Sequence, residues 1–183
     1  MYKPALWSMF ATRSWSVLQM FLAMIFNSNS ETARMISNPS GFTADRANDP
    51  TVRASPCGST RGFSTAAGVA KLYSIIANGG QYNQETLLSP EAIKEMIVPQ
   101  VTGPDRIAKM NVTYTTGYMM LQPWSDRPPQ YGTPGSGGQM AFMDIKNNLA
   151  WSYITNHHQL VDPLNDIRWT EVMDAVYKVL EKS

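Results

Sequence analysis

Residues 132–138 (GTPGSGG) constrain this chain more than any other stretch. Glycine at 132, 135, 137 and 138, with Pro134 among them, is incompatible with a continuous helix there. The run reads as a glycine-rich bend leading into a strand. Residues 139–144 (QMAFMD) and 149–156 (LAWSYITN) then read as two strands, and the polar 145–148 between them makes a hairpin. Upstream, residues 114–122 (YTTGYMMLQ) read as a third strand carrying one glycine, and a proline-rich loop over 123–129 separates it from the bend.

Helices precede and follow these strands. Ser64 reads as the N-cap of a helix running to about Ala77, with Val69, Leu72, Tyr73 and Ile76 forming an apolar stripe. Asn78-Gly79-Gly80 supplies its left-handed stop. Ser89 caps a second helix with Pro90 in its first turn; Ile93, Met96 and Ile97 are expected to face inward, and Pro99 lies just past its end. A last helix is expected from about Asp166, with Trp169, Val172, Met173, Val176 and Leu180 on one face. Helices, then antiparallel strands, then a helix predict an α+β fold: an antiparallel sheet flanked by helices.

Two segments read differently. Residues 27–63 are rich in Asn, Ser, Pro, Gly and Thr and read as a long irregular connection. Trp15–Phe26 (WSVLQMFLAMIF) is apolar, with Lys3 and Arg13 upstream, as in a secretory signal. Ser16 and Gln19 interrupt it, no small-x-small cleavage site follows, and it is short of the roughly 20 residues that cross a bilayer. Leu18, Phe21, Leu22 and Ile25 fall at helical spacing, so a helix packed on a core is the preferred reading.

Composition narrows the function classes. Charged residues make up 16% of the 183, against about 25% in typical domains. The net charge is +1 and no Lys/Arg run occurs, so the electrostatic footprint of a nucleic-acid binder is missing. Cys57, the single cysteine, excludes an internal disulfide framework and reads as a small buried hydrophobe rather than a nucleophile. The sequon Asn111-Val112-Thr113 reads as a chance match, and a cytoplasmic location is the weakly favoured expectation.

Several segments in collinear order carry a resemblance: residues 56–80 (PCGSTRGFSTAAGVAKLYSIIANGG), then Leu87-Leu88-Ser89-Pro90-Glu91, then 132–144, then 151–156 and the terminal helix. In that order and spacing the chain resembles β-lactamase-related serine hydrolases, the branch close to class C β-lactamases and penicillin-binding-protein-like esterases. The likeness covers about residues 50–181 well and 4–40 more loosely, which divides the chain into an N-terminal helical and irregular segment (1–49) and the C-terminal part of a β-lactamase-related domain (50–183).

The resemblance implies acyl transfer to a serine in Ser-x-x-Lys, with the Lys and a Tyr of Tyr-x-Asn handling protons and a third motif, Lys/His-x-Gly, on a strand lining the pocket. At that third place this chain has Thr133-Pro134-Gly135. By resemblance Thr133, Gly135 and Ser136 form a pocket edge. Gly135 would leave room for substrate against the backbone, and the Ser136 N–H would be an oxyanion donor. Thr133 brings a hydroxyl but neither charge nor a useful pKa. No lysine has a serine three residues before it and no Tyr-x-Asn occurs, so the resemblance leaves no catalytic residue assigned. A hydrolase homologue without turnover of its own is the leading expectation. A non-catalytic binding or scaffold protein using the exposed half-pocket is the alternative.

Residues 134–138 also come within one position of the Gly-x-Ser-x-Gly elbow, with His157 or His158 and Asp162 or Asp166 as nominal partners; an elbow needs a helix after the serine, and a strand is expected here. A hydrolase using Ser136 is therefore kept only as a further alternative. Adjacent histidines on an extended chain point to opposite faces, and no ligand cluster lies beside them, so no metal and no cofactor are expected. Expected partners are a small ester or amide ligand, a second copy or another protein, with no nucleic acid and no membrane.

Overall fold

The computed structural model describes residues 15–38, 48–59, 62–122, 126–158, 162 and 164–182. Its elements are α1 (Trp15–Phe26), α2 (Glu31–Ile36), α3 (Pro50–Ala54), α4 (Ala66–Ala77), β1 (Gln81–Tyr82), β2 (Glu85–Thr86), α5 (Pro90–Met96), β3 (Pro99–Pro104), β4 (Asn111–Thr115), β5 (Met119–Leu121), β6 (Gln130–Gly135), β7 (Gln139–Asp144), β8 (Leu149–Tyr153) and α6 (Ile167–Leu180). Strands β3 to β8 form one antiparallel meander in chain order, and β1 and β2 form a separate two-stranded ribbon.

The sheet is buried on both faces because its residues alternate. Met140 and Phe142 of β7 point one way, into a cluster with Leu121 and with Trp169, Met173 and Tyr177 of α6. Met143 points the other way, against Ile76 and Ala77 of α4 and Ile93 of α5. The expected architecture of helices flanking an antiparallel sheet is what forms.

One polar network crosses the first interface. The Asp144 carboxylate is fully buried. It accepts the Tyr177 hydroxyl at 2.8 Å, the Asn147 side-chain amide at 2.7 Å and the Asn147 N–H at 3.1 Å. Gln130 donates to the Tyr177 hydroxyl at 3.2 Å. Burial, and then the Asp144 charge, push the Tyr177 hydroxyl far above its ordinary range, so it remains a donor.

Several expectations need correction. The meander has six strands where three were expected. Residues 114–122 are not one strand: a turn closed by the Thr115 N–H to the Tyr118 carbonyl (2.8 Å) splits them, with Thr113 opposite Met120. The glycine marked that corner. Strand β3 lies at the sheet edge, where its prolines cost no ladder bond to a further strand; almost all its residues are exposed, so it carries no apolar alternation to read. Strand β8 ends at Tyr153, short of 156.

Helix α4 is capped by Thr65, whose hydroxyl accepts the Gly68 N–H at 3.1 Å, one residue past the expected Ser64. Leu72 of its predicted stripe is 64% exposed. On α6 the buried face is Trp169, Met173 and Tyr177, while Val172 is exposed. The expected irregular run 27–63 contains α2 and α3, and its residues 39–47, 60 and 61 lie outside the described residues.

The largest departure is α1. The helix forms over the expected residues, but none of them is buried. It packs beside α2. Helix α2 in turn is anchored to the β3–β4 turn: buried Thr32 donates to the Ile107 carbonyl at 3.1 Å. No helix of the described residues is long and apolar enough to cross a membrane.

Candidate functional site

The predicted pocket edge lies at the end of β6. Its register with β7 sets Thr133 opposite Ala141 and Gly135 opposite Gln139, so Thr133 shares the sheet face covered by α4. There its side chain comes close enough to the Tyr73 hydroxyl to act on it. The Tyr73 ring packs on Tyr118 with centroids 5.7 Å apart. Burial pushes the Tyr73 hydroxyl up, against the smaller downward pull of Thr133. Burial, then Tyr73, raises Tyr118. Tyrosines held protonated in this way donate hydrogen bonds and do not act as bases near neutral pH.

A Cβ on Gly135 would stand 2.8 Å from Gln139 Cβ, so closure of the hairpin itself demands glycine there. Beyond it Ser136, Gly137 and Gly138 turn the chain, with Gly137 at φ 83° and Gly138 at φ 97°. The Gly138 N–H returns to the Gly135 carbonyl at 3.2 Å. Ser136 is exposed, and neither its N–H nor its hydroxyl bonds to a described residue.

The start of α6 embraces this turn. Arg168 donates through Nη2 to the Gly137 carbonyl at 3.0 Å and through Nη1 to the His157 carbonyl at 2.7 Å. Its Nε meets both Asp166 oxygens at 2.9 and 3.0 Å, and Nη2 also pairs with Asp166 Oδ2. Asp166 is buried and caps α6 by accepting the Arg168 N–H at 3.0 Å. The His158 ring packs against Gly137. Gln139 closes the far side, donating to the Thr155 carbonyl and accepting its N–H, both at 2.8 Å.

The structure thus brings Thr133, Gly135 and Ser136 to one strand end, with His158 beside them. It commits Asp166 to Arg168, and a strand, not a helix, follows Ser136. His157 is exposed, and among the described residues no group of three His, Cys, Asp or Glu is placed to hold a metal. Asp162 accepts the Leu164 N–H at 3.0 Å in its own loop. Cys57 is half-buried rather than buried, with Sγ 3.4 Å from Ser59 Oγ. A cavity of about 330 Å³ lies elsewhere, over the outer strands, and is lined by Thr102, Asn111, Leu121, Gln122, Leu164 and Asn165.

Sequence reasoning missed Tyr73, Gln139 and Arg168 as neighbours of the site. Arg168 alone carried a signal. It is a cation in the first turn of a helix, where the helix dipole opposes positive charge.

An antiparallel sheet with helices on both faces, the glycine-rich β6 among its inner strands, places the chain in the β-lactamase/transpeptidase-like class of folds. Solved structures agree. A family VIII carboxylesterase superposes with a TM-score of 0.69 at 26% identity, over 80% of this chain and 39% of that one. A penicillin-binding-protein homologue from Caulobacter crescentus gives 0.51 at 24% identity, over 55% of this chain and 29% of that one, a likeness of fold alone. The family profile described as beta-lactamase matches residues 13–172, and the chain belongs to that family. A curated relative, Esterase/beta-lactamase LipL of Mycobacterium tuberculosis (strain ATCC 25618 / H37Rv), is 29% identical over 104 residues. Those residues are 56% of this chain and 24% of LipL, so the chain spans well under half the length of these relatives.

Proposed function

We propose that this chain supplies one wall of a β-lactamase-like acyl-transfer site for small esters or amides, and that as 183 residues it does not turn substrate over. The observation that carries this reading is the strand end Thr133–Ser136. It presents an exposed hydroxyl and an open N–H, in a family member whose sequence contains neither Ser-x-x-Lys nor Tyr-x-Asn. A backbone donor of the oxyanion-hole kind contributes about 3–4 kcal/mol to the transition state. Without the enzyme's own nucleophile, most of the rate enhancement is lost even where such a donor remains. Thr133 orients a polar substrate group but moves no proton.

Incubation of the purified chain with a chromogenic ester and a chromogenic β-lactam tests this. The expected result is no burst and no mass shift on any serine. A stoichiometric burst with an adduct on Ser136 would sink the inactive reading and favour the hydrolase that uses Ser136.

One observation favours a second reading, that of a binding protein. Helix α1 leaves Trp15, Leu22, Met24, Ile25 and Phe26 exposed, a patch of the kind that attracts a second copy or another protein.

A further inference from the structure

We infer that Arg168 is a positioning residue for the pocket edge: its guanidinium holds the Gly137 carbonyl, and with it the Ser136–Gly138 turn, in the orientation that leaves the Ser136 N–H open to an anionic oxygen. The inference rests on the reading of Ser136 as an oxyanion-type donor proposed above. Three observations carry it.

The first is that the turn does not hold itself. Glycines at 137 and 138 lose more freedom on ordering than any other residues, and a single bond within the turn, Gly138 N–H to the Gly135 carbonyl, opposes that loss. The ladder of β6 and β7 stops at the pair Gly135 and Gln139, so it does not reach the Gly137 carbonyl.

The second is the shape of the clamp. One planar guanidinium joins three pieces of chain: the β6–β7 turn through Gly137, the loop after β8 through His157, and the start of α6 through Asp166. That division of labour needs the fixed fork of arginine, since the ammonium of lysine is a point charge without fixed directions. Gly138 fits this packing closely: a Cβ there would collide with Arg168 Nη2 and Asp166 Oδ2.

The third is that the position is unfavourable for the helix. Arg168 stands in the first turn of α6, where the helix dipole opposes a cation. Buried Asp166 compensates for that charge and at the same time aims the guanidinium. What the arrangement gains is the fixed turn, not a better helix.

The test uses the whole isotope-labelled chain, with amide exchange and acetate as a small anionic probe. In Arg168→Met the Gly138 N–H is expected to exchange at least about tenfold faster, while the amides of Phe142 and Met143 in β7 keep their protection. The response of the Ser136 amide to acetate, present in the parent chain, is expected to be lost. Arg168→Lys should behave like Arg168→Met. Unchanged exchange at Gly138, full rescue by lysine, or equal loss of protection across β7 in both variants would each overturn the positioning role, the last by making Arg168 a residue of the general fold. If the Ser136 amide of the parent ignores acetate, the donor reading fails, while the exchange at Gly138 still decides whether Arg168 holds the turn.

Discussion

Gly132 sits in mid-strand, where glycine normally weakens a sheet, and its neighbours supply the reason. A Cβ there would collide with the Ala141 carbonyl and come within 2.5 Å of Phe142 Cβ, on the partner strand that carries the α6 core. Gly132→Ala is therefore expected to destabilise by about 1–3 kcal/mol through overpacking. For a chain of this size each kcal/mol lowers the melting midpoint by roughly 2–4 °C. A thermal melt followed by circular dichroism checks it, and an unchanged midpoint would mean that β7 shifts freely. Sequence reasoning placed Gly132 in the glycine-rich bend over 132–138. The demand on it comes from a residue ten positions later, which only the β6–β7 register brings into contact.

At the scale of elements, the β3–β4 turn is held by one carboxylate. Asp105 accepts the N–H groups of Ile107 (2.8 Å) and Ala108 (2.6 Å) and the Tyr114 hydroxyl (3.0 Å). Burial pushes its carboxyl up, but the bonds from Ala108, Ile107 and Tyr114 together outweigh burial and leave it below the usual carboxylate range. A depressed folded-state pKa stabilises the fold above the unfolded-state value, and this contribution is lost as pH falls through the folded one. The urea midpoint should therefore drop between about pH 5 and pH 2. Asp105→Asn should show a shallower drop, and identical pH profiles for the two chains would refute the assignment. Because Thr32 of α2 is tied to the Ile107 carbonyl in this turn, acid should also loosen α2.

Elements with local signals were legible from the sequence. Ser89 caps α5 and accepts the Ala92 N–H at 3.1 Å as its spacing announced, and Gly79 and Gly80 take the positive φ of a helix stop. Strand β3 and the split of β4 from β5 were not legible. An exposed edge strand has no buried face to pattern, and a tight turn inside an apolar run looks like more strand.

For the whole molecule, the sheet lies between α6 on one face and α4 with α5 on the other, while α1 stands outside this core. An uncharged helix that leaves Trp15, Leu22, Met24, Ile25 and Phe26 exposed favours association. Light scattering behind size exclusion should show concentration-dependent mass growth, and Leu22→Asp with Ile25→Asp should reduce it. A parent chain that stays monomeric at high concentration would argue against the binding reading.

The residue pattern by itself determined that helices would flank an antiparallel sheet and that the chain would resemble the β-lactamase family. By that resemblance, Thr133 is expected at the place where the family carries a lysine or histidine. These follow from periodicity, caps and collinear motifs, all of which are local. Only the tertiary structure decided that Tyr73 meets Thr133, that Arg168 clamps the Ser136 turn, and that α1 lies off the core. Those contacts join residues tens of positions apart or depend on which faces other elements cover. No spacing along the chain records that information.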